Sequence, residues 1–330
     1  MNKKKALTAI LKLAVIAACL FILSRKLHLS DIRQSLAHVR LIYLLPALAM
    51  ILTEPVVMAY KWNILLKQKG IREGFFNIVR LIFTSNFVAI MFPTALGADA
   101  LRIFFLQRQK HSLTHATASL LADRMMALGT LALLSSLGLL SMWRAVSDRH
   151  VIVVVLSTCG IALAIIAVLV SDLAFRVCQK LKRVLDGTGA GRAALKESIR
   201  KVIQAVEDIH ASTRSYAGTP RLLAIVFLLN VVVQVLRTLQ IHFIFRSLGV
   251  SVPLAQEFAF VPIIVLLTLL PISYFGLGIK EGAFAYFFSS VGIPPSVSVS
   301  VSLITYPLIV LGLLPGALFL ATRNKAKDET

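Results

Sequence analysis

Long apolar runs separated by short polar segments dominate this chain. Their period matches neither the strict alternation of a half-buried strand nor the narrow stripe of a surface helix. Runs at residues 6–23, 41–60, 115–142, 151–171, 222–246 and 297–321 are each long enough to cross a hydrocarbon layer about 30 Å thick as a helix. Six full spans are therefore predicted, in an all-α polytopic membrane bundle. Two further apolar stretches, 78–108 and 255–292, are interrupted by Pro and Gly: Pro93 and Gly97 in the first, Pro271, Gly276 and Gly278 in the second. Each half is too short to span, so both stretches are predicted to be re-entrant helical hairpins that enter and leave on one side. The remaining sizeable segment, 172–220, places Leu195, Ile199, Val202, Ile203, Val206 and Ile209 at helical spacing and reads as a cytoplasmic amphipathic segment.

Composition agrees with the pattern. Apolar residues make up 58% of the 330 and charged residues only 15%, and the mean hydropathy is +0.83, so the chain reads as one integral membrane domain and not as soluble domains. Three cysteines, with Cys19 and Cys159 inside apolar runs, exclude a secreted disulfide framework. The net charge of +20 does not signal nucleic acid, because no soluble basic module is left over to bind it. It reflects instead the bias of Lys and Arg toward cytoplasmic loops. If both hairpins return to their own side and the N-terminus is cytoplasmic, 24 basic residues fall inside, counting Lys61 to Arg80 as a loop-side group, and six fall outside. That places both termini in the cytoplasm, in the cell's inner or plasma membrane. It also gives the two hairpins opposite orientations, as an inverted repeat requires.

Ionisable residues inside spans are costly and usually mark a pathway or a pair. Asn230, Gln234, Arg237 and Gln240 form one polar stripe on an otherwise apolar helix. The amides also suit hydrogen bonding between helices, whereas a buried guanidinium needs a carboxylate or a phosphate. Glu54 fits either a structural pair or a substrate or proton role. Asp123 and Arg124 fit either the cytoplasmic interface or a cavity. At the hairpin tips, Gly97, Gly276 and Gly278 permit turns whose free N–H groups suit an anion; Arg102 and Lys280 would add positive charge there, while Asp99 and Glu281 would fix them or carry a proton. His111 and His115 lack a third ligand, and no metal or other cofactor is expected. Asp186-Gly-Thr-Gly-Ala-Gly191 has no preceding strand and no following Gly-Lys, so it is a turn and not a nucleotide site. The serine alternation from Ser296 to Ser302 opens the last span, where Ser296 and Ser300 share a helix face and allow close packing.

The stretch Asn86-Phe-Val-Ala-Ile-Met-Phe-Pro93-Thr-Ala-Leu-Gly97-Ala-Asp99-Ala-Leu-Arg102, then Ala122-Asp-Arg124, then Gly276-Leu-Gly278-Ile-Lys280-Glu281 resembles, in order, three motifs of the lysylphosphatidylglycerol synthase transmembrane-region family: its Pro-Gly-x-x-Gly-Glu-x-x-Arg hairpin, its Glu-Arg pair and its Gly-Leu-Gly-x-Arg-Glu hairpin. The likeness runs from about residue 6 to 322. Asp123 and Lys280 stand where Glu and Arg are usual, and Asp99 falls one place late. The resemblance implies lipid translocation by a stand-alone member without the soluble synthase domain, and so without synthase activity.

The expectation is a flippase-like transporter whose basic cavity, lined by Arg102, Arg237 and Lys280 with the hairpin N-termini, takes a phospholipid or isoprenoid-type headgroup. Its partners would be membrane lipids with anionic headgroups, with a second copy or a separate lipid-synthesising enzyme as possible associates. Two alternatives remain at this point: a membrane-embedded transferase acting on a lipid-linked substrate through Glu54, Asp99, Asp123 or Glu281, and an ion or solute transporter.

Overall fold

The computed structural model describes residues 29–90, 96–141, 149–170, 204, 207–208, 210–269 and 276–328. The span predicted at 6–23, the hairpin tips at Pro93 and Pro271, and most of the 172–220 segment lie outside them. All described elements are helical: α1 (Leu29–Ala37), α2 (Leu44–Gln68), α3 (Phe75–Ala89), α4 (Leu96–Arg108), α5 (Leu113–Ser141), α6 (Arg149–Val170), α7 (Pro220–Ser247), α8 (Leu254–Thr268), α9 (Ile279–Ser289) and α10 (Pro295–Asp328). Among the described residues there is no strand.

Four of these stretches are long and apolar enough to cross a membrane: Leu41–Gln68, Leu113–Ser141, Pro220–Ser247 and Pro295–Ala321. The apolar part of α6, His150–Ala164, is shorter. Side chains turned outward from the bundle are largely aliphatic, among them Leu137, Leu140, Val153, Ile161, Leu228 and Leu318. Charged residues are found inside. This inversion of the soluble pattern is what a hydrocarbon surround selects.

One boundary differs from expectation. The second span does not give way to a loop at Lys61. Helix α2 runs on to Gln68, and Lys61 is 2% exposed. The residues that follow it, Trp62, Leu65 and Leu66, are themselves core, so they carry the helix and its lysine onward through the bundle.

The architecture is a long helix, a pair of short antiparallel helices and a second long helix, and it occurs twice: α2, α3–α4, α5, and then α7, α8–α9, α10. The equivalence holds turn by turn. Helix α2 ends with Gly70 N–H bonded to Lys67 C=O and Ile71 N–H to Leu66 C=O; α7 ends with Gly249 N–H to Arg246 C=O and Val250 N–H to Phe245 C=O, each 179 places later. Gly70 and Gly249 both have φ +76, the left-handed residue that closes a helix in this motif. Helix α3 begins with Asn77 and Ile78 N–H on Gly74 C=O, and α8 with Gln256 and Glu257 N–H on Pro253 C=O. Past the tips the offset becomes 182: Lys110 N–H to Gln107 C=O recurs as Gly292 to Ser289, and Ala116 to Ser112 as Ser298 to Pro294.

Packing follows the same repeat. Helix α3 lies on α10 and α8 lies on α5; α2 contacts α10 and α7 contacts α5. Glycines make the two crossings close. A Cβ on Gly138 of α5 would stand 2.5 Å from the Ala259 backbone in α8, and one on Gly316 of α10 would collide with the Phe83 carbonyl in α3. Between the repeats, α2 and α7 form the most extensive contact. Two rungs cross it, Glu54 to Arg237 and Lys61 to Asn230. Since the later residue of α2 meets the earlier residue of α7, the two helices are antiparallel. Continuing that pairing sets Val56 opposite Val235, and these are also repeat mates 179 places apart. The pseudo-twofold axis passes there.

Candidate functional site

Glu54 and Lys61 are seven residues, or two turns, apart on one face of α2; Asn230 and Arg237 have the same spacing on α7. Lys61 Nζ donates to Asn230 Oδ1 at 2.7 Å and stands 2.8 Å from Asp123 Oδ1 on α5. About 10 Å along α2, Arg237 Nε donates to Glu54 Oε1 at 2.8 Å, and Nη2 to the same oxygen at 2.5 Å.

Next to Asp123 on α5, Arg124 turns toward α4. Its Nε donates to Asp99 Oδ2 at 2.8 Å and its Nη2 to Asp99 Oδ1 at 2.7 Å. Arg102, one turn beyond Asp99 on α4, donates from Nη1 to Asp99 Oδ1 at 3.1 Å. The rest of its fork clamps the other arm of the hairpin: Nε to Ser85 Oγ at 3.2 Å and Nη2 to Asn86 Oδ1 at 2.7 Å. Asp99 is thus held by two guanidiniums, and Arg102 ties α3 to α4. Asp123 and Arg124, adjacent on α5, join the two sets.

Two apolar cores flank this polar layer. On α2, α5 and α7, one core contains Trp62, Ala122 and Val226, and the other contains Ile51, Leu131 and Ile241. On those helices Glu54, Lys61, Asp123, Arg124 and Arg237 fall between the two cores, and Lys61 and Asp123, with Asp99 and Arg102 of α4, are at 5% exposure or less. Four cations (Lys61, Arg102, Arg124, Arg237) face three carboxylates (Glu54, Asp99, Asp123), an excess of one positive charge. Guanidinium forks that hold a carboxylate in two bonds have the geometry to hold phosphate oxygens instead.

The second hairpin forms a separate group. Glu281 accepts the Gly278 N–H at 2.6 Å and the Ser302 hydroxyl at 3.1 Å. Lys280 Nζ lies 4.6 Å from the centre of the Tyr306 ring. Among the described residues no hydrogen bond or ion pair joins Lys280 or Glu281 to Arg237. Gly276 and Gly278 have φ +77 and +83, whereas Gly97 lies buried in the first turn of α4. The N–H at Gly278, however, is taken by the chain's own Glu281.

Of the polar stripe on α7, Asn230, Gln234 and Gln240 are buried and Arg237 is partly so. Asp123 is buried, and Arg124 is partly exposed, its side chain at 33%. His111 pairs with Glu73 at 2.7 Å, closing the base of the first hairpin, and His115 is exposed. Among the described residues no cluster of three or more His, Cys, Asp or Glu could hold a metal. Sequence reasoning missed Lys61, Ser85, Asn86 and the pair of His242 Nδ1 with the fully buried Glu257, 3.1 Å apart. The seven-residue spacing of Lys61 from Glu54 was the available signal for the first.

With this geometry in hand, comparison with known proteins gives a consistent answer. The model of the family described as Lysylphosphatidylglycerol synthase TM region matches residues 9–316. The chain belongs to this family. A relative from Methanothermobacter thermautotrophicus (strain Delta H), described as a UPF0104 membrane protein, is 25% identical over 302 residues, covering 87% of this chain and 84% of its own. Family and apolar helices together identify a multi-pass membrane protein.

Proposed function

We propose that this family member is a flippase-like transporter that carries a phospholipid or isoprenoid-type lipid headgroup across the membrane, without itself performing a covalent reaction. The observation that carries the reading is the layer of four cations and three carboxylates between two apolar cores. In bulk hydrocarbon a headgroup loses its water with nothing in return; here Arg102, Arg124, Lys61 and Arg237 would take the place of that water. The net positive charge favours an anionic headgroup, whose phosphate would exchange with Asp99 on the two guanidiniums.

The same reading includes the membrane arrangement: six spans, two re-entrant hairpins and an inverted repeat in the cell's inner or plasma membrane, with both termini cytoplasmic. Support comes from helix lengths. At 1.5 Å per residue, α3, α4, α8 and α9 extend about 16–23 Å, short of a roughly 30 Å core, and the repeats run antiparallel about the Val56–Val235 axis.

Reconstitution tests it. Vesicles carrying nitrobenzoxadiazole-labelled phosphatidylglycerol are exposed to dithionite, which bleaches only the outer leaflet. Wild-type protein is expected to make the inner label reachable, and Arg124→Gln, folded by size-exclusion, to slow this at least about tenfold, the equivalent of one charge-assisted contact. Wild-type vesicles that bleach like protein-free ones, whichever labelled phospholipid or isoprenoid phosphate is loaded, would overturn the proposal.

A further inference from the structure

The enclosed carboxylates of the bundle have partners of two kinds. Guanidiniums hold Asp99 and Glu54, the Lys61 ammonium holds Asp123, and a backbone N–H and a hydroxyl hold Glu281; these donors ordinarily keep one charge state around neutral pH. Glu257 differs. It is 0% exposed, and among the described residues its side chain has one polar partner, the imidazole of His242, whose Nδ1 lies 3.2 and 3.1 Å from the two carboxylate oxygens. Histidine is the side chain whose charge ordinarily changes near neutral pH. The same ring supplies a route for the proton: Nδ1 meets the sealed carboxylate, while the His242 side chain is 19% exposed and its Nε2 makes no hydrogen bond among the described residues. The pair ties the first turn of α8 to the end of α7, at the base of the second hairpin. Few other ionisable groups stand near. Arg246, one turn on along α7, is exposed, as is Arg40, whose N–H bonds the Ser247 C=O. Helix α6, which also contacts α8, opens with Arg149 and the exposed His150. Helix α5, which meets α8 at Gly138 and Ala259, has no ionisable residue over 127–141, and the half of α9 that stacks on Phe260 has only Tyr286.

We infer that His242 and Glu257 form a proton-binding site, which clasps the base of the second hairpin to α7 while it holds a proton and releases it when the proton leaves. The ligand is the proton itself and not a lipid. In the loaded site Nδ1–H donates to the carboxylate and Nε2 also carries a hydrogen, so imidazolium and carboxylate cancel. Unloading passes the Nε2 proton to water at the exposed edge of the ring. A neutral imidazole then faces a carboxylate whose full negative charge is sealed from solvent, a state that burial opposes, and the first turn of α8 relieves it by moving off α7 until water reaches Glu257. The closed pair binds the proton more tightly than the separated groups do, so the clasp is complete at mildly acidic pH and is lost as pH rises through the titration of the pair. The first hairpin has a similar pair at the opposite end of the bundle, His111 on Glu73 at 2.7 Å. There both side chains are partly exposed, at 24% and 15%, and Glu73 also accepts from Asn77 Nδ2 at 3.3 Å, so loss of the proton seals no bare charge. Proton loading therefore acts on one end of the bundle. Within the translocation reading it supplies a coupling ion; the site itself does not depend on that reading.

Hydrogen–deuterium exchange of the full chain in detergent, corrected for the intrinsic pH dependence of amide exchange, tests the site. Peptides covering residues 256–261 are followed from about pH 6 to about pH 9, a window in which lysine and arginine ordinarily stay charged. In wild type these amides are expected to exchange at least about tenfold faster at the alkaline end, the equivalent of one lost charge-assisted bond. Glu257→Gln, which has no charge to seal, should stay protected at both ends. His242→Gln, which cannot take up the proton, should already exchange fast at about pH 6, and His111→Gln should respond as wild type does. Wild-type protection that is constant across the window, a pH response that survives Glu257→Gln, a His242→Gln protein as protected as wild type at about pH 6, or a response abolished by His111→Gln would each overturn the inference. If wild type shows the exchange response but moves no labelled lipid in the dithionite experiment, the translocation reading falls and the proton site stands.

Discussion

Replacing Lys61 with Met should destabilise the protein severely, and adding Asp123→Asn should restore most of the loss. The two groups are 2.8 Å apart with side chains 3% and 6% exposed. At an effective dielectric of about 20, unit charges at that distance attract by about 6 kcal/mol. Desolvating both ions cancels most of this, so the intact pair contributes little net stability. Removing only the lysine deletes the attraction while the carboxylate stays buried, a loss of about 3–5 kcal/mol. At about 2 °C per kcal/mol for a chain of this size, Lys61→Met should lower the melting temperature in detergent by about 6–10 °C. In the double variant no charge is stranded, and the amide introduced in place of the Asp123 carboxylate remains to bond within the layer; its melting temperature should lie within about 4 °C of wild type. Asp123→Asn alone strands the Lys61 ammonium and should cost a similar amount, about 3–5 kcal/mol, so the coupling between the two sites would be at least about 4 kcal/mol, far above the roughly 0.3–0.5 kcal/mol error of independent sites. Additive losses would mean that Lys61 does not face Asp123. The register of α2 against α5, and with it the antiparallel rungs to α7, would then be wrong.

Three more outcomes follow from the same geometry. Gly138→Ala should cost about 2–3 kcal/mol, since its Cβ would meet Ala259 backbone at 2.5 Å; Gly160→Ala, where a Cβ meets nothing within 4 Å, should be neutral or stabilising by up to about 1 kcal/mol. Tyr216→Phe removes the bond from its buried hydroxyl to the Leu65 carbonyl, 2.8 Å long, and should cost about 1–2 kcal/mol in thermal unfolding without changing lipid flux. The repeat register makes Gln240 and Thr305 the mates of Lys61 and Asp123, so Thr305→Asp alone should destabilise by about 3 kcal/mol or more. Gln240→Lys should rescue it in the double variant, and a double variant no better than the single would refute the repeat alignment.

Hydropathy made the long helices legible because a membrane core imposes a length that few soluble elements reach. Breaks near Pro93 and Pro271 were an expectation from residues that disfavour a continuous helix without forbidding one, as Pro55 inside α2 and Pro262 inside α8 show. Lys61 was not legible. A lysine after Tyr60 at the end of an apolar run looks like a loop boundary, and nothing local distinguishes a snorkelling ammonium from one held by Asp123 and Asn230. Ser85 and Asn86 were hidden for a related reason: hydroxyls and amides are common in apolar helices, and their importance comes only from Arg102 reaching back across the hairpin. Loop charges led to an expectation of repeats with opposite orientation, but they said nothing of the register. It is written in backbone turns such as Gly70 and Gly249, while mated side chains such as Arg102 and Phe284 share no chemistry.

Under the proposed transport function, that divergence between mates would have a physical use. Two identical charged half-sites would hold an anionic headgroup equally on either side of the axis, each behind ion pairs that must open. Here Lys61, Asp123, Arg124 and Arg102 are mated with Gln240, Thr305, Tyr306 and Phe284, so the fold is symmetric and the potential is not. Glu54 and Arg237 lie two residues from the axis, between the halves, where any headgroup crossing along α2 and α7 must pass. Their bond is partly exposed, with side chains at 18% and 28%, whereas the Lys61–Asp123 pair is sealed at 3% and 6%. In the proposed transport path the central pair is the less enclosed by protein of the two, and so the easier for a headgroup to reach. A headgroup would then meet its largest barrier at the layer of paired charge and not at the crossing point itself.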